Sequence, residues 1–360
     1  MQILEDRRAL HRIPEVGLYL PKTADYLLAQ LKKLGCRVWQ PAESAVCAYF
    51  DMGGESTIAF RADMDGLCVT EQTMLPFASC HPGRMHACGH DGHMAILLEL
   101  ARSMANTKLK KNLLLIFQPG EEGPGGAGIL CDTGILREYQ VEAIFGLHLW
   151  PGLEKGILYS RPGAMMSRSC EVTVTVRGKA AHIGKAHLGK DAMAACVDFY
   201  HRAVQMEEKL DPTVFRLLKF GRMACGSVRN VIAEEAVLEG SLRTFDDAVF
   251  AQMKERLSAI ACRVEEETGC TVEVHMNEGY PAVYNDPVLY ARVAHMIPVA
   301  HLEQPSIITE DFSCYQRHVP GVFFFLGVGD TPALHAADFD FDEAVLLQGA
   351  EALSALARNL

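Results

Sequence analysis

The chain has 360 residues, 49% apolar and 22% charged, a balance close to the soluble globular average that excludes disorder, collagen and coiled coil. Thirty-four Lys and Arg against 45 Asp and Glu leave a formal charge of −11, which repels phosphate backbones and anionic lipid, so neither a nucleic-acid nor a membrane partner is expected. The length exceeds the ~100–200 residues that one core usually holds, so two domains are expected.

The opening MQILEDRRAL carries acids and bases where an export signal needs an apolar run. The longest apolar stretches, LLLIF and VFFFLGV, fall far short of the ~18 residues of a membrane span. No two of the twelve cysteines lie closer than eight residues, which leaves no CxxC for structural zinc or a redox motif. The expectation is a reduced, cytoplasmic protein.

A helix is expected around Thr23 to Leu34, followed by the strand STIAF, a helix from Met94 to Met104, and the strands NLLLIF and VEAIFGL. This alternation predicts βαβ units and a mostly parallel sheet covered on both faces. From Cys170 the texture changes. CEVTVTVRG alternates at period two, Asp191 to Glu208 is helical, FRLLKFG and AVLEGSLRTF are strand-like, Asp247 to Glu267 is helical and TVEVHM closes the set. The order β-α-β-β-α-β is the ferredoxin-like signature. After NEGYPAVYND come another helix, the run PGVFFFLGVG and a last helix from Glu343. The predicted fold is thus α/β. A mostly parallel-sheet domain (1–168 and 280–360) is interrupted by an inserted ferredoxin-like α+β unit (169–279).

Chemically active residues sit just after the apolar runs. Asp63 and Asp65 follow STIAF, Glu121 and Glu122 follow NLLLIF, His148 follows VEAIFGL, and His335 follows the VFFFLGVG run. In open α/β sheets, sites form at the carboxyl ends of the strands, so these residues are expected in one crevice. MHACGHDGHMA adds His86, Cys88, His90, Asp91 and His93 just before a helix. Thiolate, imidazole and carboxylate together suit a divalent transition ion such as zinc, manganese, cobalt or nickel. Adjacent Glu121 and Glu122, framed by Pro119, Gly120 and Gly123 after a central strand, suggest one ligand and one general base. Other uses stay open for single residues. Asp63 and Asp65 could form turns or cap a helix, His148 could pack on Trp150, and His335 and His182 could be ordinary loop histidines.

GPGGAG matches GxGxxG, the mark of a dinucleotide oxidoreductase. The two glutamates before it would repel a pyrophosphate, and a flexible loop leading into a helix from Ile129 accounts for it better. GxSxG, GxxxxGK[ST] and HExxH are all absent from the sequence.

Taken in order, RADMDG, MHACGHDGHMA, QPGEEG, FGLHLWP, GKAAHIGKAHLGKDA, RNVIAEEAVLEGSLRTF, TEDFS and LHAADFDFDE resemble the aminoacylase/hippurate hydrolase family of metal-dependent amidohydrolases. N-acetyldiaminopimelate deacetylases, auxin-conjugate hydrolases and related peptidases belong to the same family. The resemblance spans essentially the whole chain and implies that 1–168 with 280–360 is a metallopeptidase-like catalytic domain and that the inserted 169–279 unit is its ferredoxin-like α+β lid. It implies two divalent metal ions, zinc or manganese first and cobalt or nickel as alternatives, held by Cys88, His90, Glu122, His148 and His335. Glu121 would be the general acid/base, with Asp65 supporting the metal site. His182 would steady the oxyanion, and Asn230 and Arg243 on the lid would hold the substrate carboxylate. The implied substrate is a small N-acyl amino acid, acetyl or aroyl. A homodimer through the lid is implied as well, because in related enzymes the lid histidine can come from a partner subunit. A dipeptidase or carboxypeptidase of the same fold, or a non-catalytic metal-binding relative, are the competing functions. Two departures stand out: Gly66-Leu67-Cys68 replaces the usual Ala-Leu-Pro, removing a proline that would stiffen the loop, and Pro124 interrupts a glycine run.

Overall fold

The apolar runs of the sequence become the central strands of a large sheet. In a computed structural model, which describes residues 1–360, the chain divides into two units. The first comprises Met1–Met165, Val283–Pro305 and Glu310–Leu360, and the second Met166–Ala282 with Ser306–Thr309. The chain starts with α1 (Gln2–His11), α2 (Pro21–Leu31), β1 (Arg37–Trp39), β2 (Val46–Phe50) and β3 (Thr57–Asp63). After a loop come α3 (His90–Met104), β4 (Asn112–Gln118), α4 (Gly126–Asp132), α5 (Ile135–Glu138), β5 (Val141–Pro151), β6 (Leu158–Ser160) and β7 (Gly163–Met166). Next are β8 (Arg168–Arg177), α6 (Ala192–Glu208), β9 (Arg216–Cys225), β10 (Glu235–Thr244), α7 (Asp247–Thr268) and β11 (Thr271–Met276). The chain closes with β12 (Val283–Asn285), α8 (Pro287–Met296), β13 (Ala300–His301), β14 (Gly321–Gly329) and α9 (Ala344–Asn359).

In the first unit eight strands pair in the order β1-β2-β4-β3-β5-β14-β6-β13. The central four, β4, β3, β5 and β14, run parallel, while β2 against β4 and β6 against β14 are antiparallel. Every residue of β3 and β4 is buried, which is why apolar residues occupy both faces of these strands rather than alternating, Arg61 of β3 excepted. Besides α4, two helices depart from the sequence reading. α3 starts at His90 rather than Met94, because its first turn is glycine-bearing and polar and lacks the apolar period. Gly92 there lets the helix approach the sheet: a Cβ would lie 2.8 Å from Leu149 Cδ1. α1 was not anticipated, since its buried face carries Asp6, Arg7 and His11 beside Ile3 and Leu10 and so hides the amphipathic stripe.

In the second unit the strands pair wholly antiparallel in the order β11-β8-β10-β9. Val172, Val174 and Val176 of β8 pack with Phe199 of α6 and Leu257 of α7, so the ferredoxin-like expectation holds for this α+β unit. Both helices are capped in sequence-readable fashion, Asp191 accepting from Ala194 N and Asp246 from Ala248 N and Val249 N. All twelve cysteines are free thiols. No helix is long and apolar enough to cross a membrane.

Candidate active site

The four parallel strands share a carboxyl edge, and the expected segments depart from it. Asp63 ends β3, Glu121 and Glu122 follow β4, His335 follows β14, and Cys88 and His90 lead into α3. His148 lies inside β5 rather than beyond it, because Trp150 and Pro151 still pair with Gly327 and Gly329 of β14.

The structure brings the five expected metal ligands together. Ligand atoms of Cys88, His90 and Glu122 lie within 4.8 Å of one another. Cys88 Sγ is 3.4 Å from His148 Nε2, and Glu122 Oε1 is 2.9 Å from His335 Nε2. His148 gives its Nδ1 proton to Leu149 O at 2.6 Å, which leaves the Nε2 lone pair open to a cation. His335 holds a left-handed backbone, φ 67°, while its amide donates to Ala87 O at 2.8 Å. That bond ties the histidine loop to the segment carrying Cys88.

Whether a metal fits can be judged from His90 and from the charge balance. Both ring nitrogens of His90 are buried without a hydrogen-bond partner, Nε2 at 3.7 Å from Asp63 Oδ2 and Nδ1 at 3.6 Å from Asp65 Oδ1. A buried imidazole left this way in a protein is costly unless something else binds it. Around it stand Asp63, Asp65, Glu121, Glu122, Glu310 and Asp311, with Arg61 as the only buried guanidinium among them. Burial, and then Glu122 and Glu121, push the Cys88 thiol well above its ordinary range. His90 is pushed up to about 10, Asp63 and Asp65 outweighing the opposing effect of burial. Such a concentration of buried carboxyls is relieved by protonation or by added cations, and divalent metals supply the latter. The donor set fits them.

Ligand atoms of Asp63, His90, His93 and His148 also lie within 4.8 Å of one another, but not every histidine of the motif is open to a cation. His93 has both nitrogens committed, Nε2 accepting from Leu149 N at 2.9 Å and Nδ1 lying 2.6 Å from Asp63 Oδ1. His86 is buried with neither nitrogen paired, and burial pushes it down to about 3. Asp63 is neither turn former nor cap: it also accepts from Arg61 Nη1 at 2.8 Å. Asp65 accepts from the amides of Glu121 and Glu122, each at 3.1 Å. Gly66, in the place of the usual alanine, donates its amide to Glu15 O at 2.7 Å, and Leu67 bridges Met85, so backbone bonds steady the loop that lacks proline.

The two glutamates face different neighbours. Ligand atoms of Glu121 lie within 4.8 Å of those of Glu310 and Asp311. Burial, then Glu310, Asp311 and Glu122, raise the Glu121 carboxyl well above the usual range. Sequence reasoning passed over Arg61, Gln118, Glu310 and Asp311, although RADMDG, QPGEEG and TEDFS adjoin or contain them. The available signal was Arg61, a charge inside the apolar run TIAFRAD that has to find buried counter-charges. GPGGAG is not a flexible loop up to Ile129. α4 already starts at Gly126, where a Cβ would lie 1.7 Å from Pro119 O, so the glycine is required by close backbone approach.

The remaining expected residues lie in the second unit. His182 is exposed and accepts from Gly184 N at 3.1 Å through Nδ1, so the neutral ring carries its proton on Nε2. Ile183 N donates to Asn230 O at 3.1 Å, which places Asn230 beside His182. Arg243 sits towards the other end of β10, half-buried and with no acid paired to it; burial lowers its pKa.

Comparison with known proteins agrees with this chemistry. The model of peptidase family M20/M25/M40 matches residues 59–359. An N-acetyldiaminopimelate deacetylase of Shouchella clausii is 36% identical over 345 residues, covering 92% of this chain and 91% of the relative. Another of that name, from Enterococcus faecalis, is 33% identical and covers 100% and 98%. Among solved structures, a dinuclear metal-binding M20 peptidase of Bacillus subtilis superposes with a TM-score of 0.87 at 28% identity, covering 99% of this chain and 96% of that one. The chain therefore belongs to peptidase family M20/M25/M40 and is a metal-dependent hydrolase of amide bonds.

Proposed function

We propose that the chain hydrolyses N-acyl amino acids, N-acetylated ones foremost, to a carboxylate and a free amino acid, with two divalent metal ions. The divergence of two consecutive glutamates carries this reading: Glu122 lies with Cys88, His90 and His335, and Glu121 with Glu310 and Asp311. A ligand and a proton carrier drawn from one dipeptide need that separation, because a carboxylate committed to a cation is a poor base. Cys88, His90, Glu122, His148 and His335 would hold the metals, and the mixed thiolate, imidazole and carboxylate donors favour zinc or manganese, with cobalt or nickel as substitutes.

When bound, the metals supply positive charge that polarises the amide carbonyl and acidifies a water from a pKa of ~15.7 towards ~7. Glu121 takes a proton from the attacking water and delivers it to the leaving nitrogen as the C–N bond breaks. Asp65 keeps both glutamates in place through their amides. His182 donates its Nε2 proton to the oxygen on which negative charge develops. The unpaired Arg243 binds the carboxylate of the substrate, and Asn230, which stands beside His182 beyond the opposite end of β10, joins it from a second copy of the chain. The N-acetyldiaminopimelate deacetylases that share about a third of the sequence support an acetyl group on a polar amino acid. A homodimer through the second unit is supported by Met193, Val197 and Tyr200, an exposed apolar row on α6. Free thiols throughout are compatible with the reducing cytoplasm.

The test is a panel of N-acetyl and N-benzoyl amino acids and dipeptides, assayed after chelation with zinc, manganese, cobalt or nickel restored. Metal-dependent release of acetate from the N-acetyl members is the expected result. Cleavage confined to dipeptides would make the chain a peptidase, and no turnover with any metal would make it a binding protein.

A further inference from the structure

Asp311 performs no step of the reaction outlined above, although its carboxylate lies near those of Glu121 and Glu310; it is fully buried, and Arg61, Gln118 and Ala127 all donate to it. Its Oδ1 accepts from Arg61 Nη2 at 2.8 Å and from Gln118 Nε2 at 2.9 Å. Its Oδ2 accepts from Gln118 Nε2 at 2.8 Å and from Ala127 N at 3.0 Å. Gln118 is the last residue of β4 and Ala127 the second of α4, so this one carboxylate grips the chain on both sides of residues 119–126. Gln118 is itself oriented by donors to its Oε1, Arg61 Nε at 2.9 Å and Tyr315 OH at 3.0 Å, which turns its amide nitrogen towards Asp311.

The gripped segment is Pro-Gly-Glu-Glu-Gly-Pro-Gly-Gly, half of it glycine, and it carries Glu121 and Glu122. Glycine loses more conformational freedom on ordering than any other residue, so such a loop does not hold two carboxylates in place by its own stiffness. Asp65 fixes the middle of the loop through the amides of Glu121 and Glu122. Asp311 fixes its ends.

We infer that Asp311, seated on Arg61, is a positioning residue for hydrolysis: it clamps the two ends of the 119–126 loop and so sets where Glu121 and Glu122 stand. The inference rests on the reading of Glu121 as the proton carrier. Asparagine cannot replace Asp311, because its N–H groups would meet the donors of Arg61, Gln118 or Ala127.

The experiment compares metal-loaded Asp311→Asn, Gln118→Met and the double variant with the native enzyme on an N-acetyl amino acid. Asp311→Asn should lower kcat on the order of 100-fold with KM nearly unchanged, since displacement of a reacting group by ~1 Å is enough for such a loss. Affinity for the metal, read by chelator competition without reference to activity, should fall by ~10–100-fold because Glu122 rides on the same loop. Gln118→Met should show both changes to a smaller extent, and the double variant should lose no more kcat than Asp311→Asn alone. Native kcat and metal affinity in a folded Asp311→Asn protein would overturn the clamp. So would a double variant whose losses multiply. A residue that only stabilises the fold would lower the melting temperature and leave both quantities per folded molecule unchanged. Should Asp311→Asn fail to fold, Gln118→Met decides by the same two readouts. Glu121→Gln separates the two ideas: full activity there removes the proton carrier itself, whereas an inactive Glu121→Gln beside a fully active Asp311→Asn removes only the clamp.

Discussion

Two buried groups of charged side chains meet at the start of α3, and they differ in whether their charges cancel. In one, Arg7 Nε lies 3.2 Å from Asp91 Oδ2, His11 Nδ1 lies 2.8 Å from the same oxygen, and His11 Nε2 lies 3.2 Å from Glu71 Oε1. Arg7 and a protonated His11 there meet Asp91 and Glu71, and Arg7 also reaches Asp340 at 2.7 Å and Glu343 at 3.3 Å, where Arg8 joins it, so every carboxylate has a cation against it. In the other, Arg61 is the only guanidinium among six carboxyls and meets three of them, His93 and His335 meet Asp63 and Glu122, and neither ring nitrogen of His90 has a hydrogen-bond partner. His90 and Asp91 are consecutive, from one motif that looks metal-binding along its whole length, yet one faces the uncompensated group and the other closes the compensated one. Charge that is cancelled internally holds α1 to α3; charge left in excess is where a cation and chemistry belong.

The sharpest way to break this contrast is Glu121→Gln, which should keep its metal content but lose ~100–10,000-fold in kcat as a general acid/base is removed. Turnover near native, measured beside metal analysis, would mean that the uncompensated group does no proton transfer. His182→Ala asks whether an exposed residue of the second unit completes the buried site. Loss of an oxyanion donor typically costs ~100–1000-fold in kcat, and an unchanged rate would leave His182 an ordinary loop histidine. Arg243→Ala should act on binding instead. Losing a charged hydrogen bond of ~1.5–3 kcal/mol raises KM by roughly 10–100-fold with kcat nearly held, and a fall in kcat alone would reassign the residue.

The smallest effect concerns the compensated group. Burial opposes the charge on His11, but Asp91 and Glu71 push it up to about 9, from 6.5 when unfolded. A raised pKa means that this contribution is complete below pH 6.5 and is lost as the pH rises through 9, on the order of 3 kcal/mol in all. Denaturant unfolding of the native chain and of His11→Gln between pH 6 and 10 checks this. The native slope should flatten in the variant and should persist after chelation, since no metal takes part in it.

Much of the candidate site was legible because ligand types recur after apolar runs and crowd into MHACGHDGHMA, and the structure brings Cys88, His90, Glu122, His148 and His335, the set the resemblance implied, close together. What escaped was the layer beneath. Arg61, Gln118 and Asp311 come from three separated segments, and nothing local in any of them announces the others. α1 escaped for a related reason, because a helix face built on Asp6, Arg7 and His11 looks solvent-exposed until its partners are known.

Sequence alone was enough for the alternation of elements, the ferredoxin-like order of the second unit and the donor chemistry, because periodicity and residue type are local properties of a chain. The resemblance already implied different roles within each pair, but only the tertiary structure decided what surrounds each member: His90 without a partner and His93 committed, Glu122 beside Cys88 and His90 and Glu121 beside Glu310 and Asp311. Neighbouring residues share a sequence context but not a direction. Burial and the identity of the group faced determine whether a side chain is satisfied, and both are settled by segments far away along the chain.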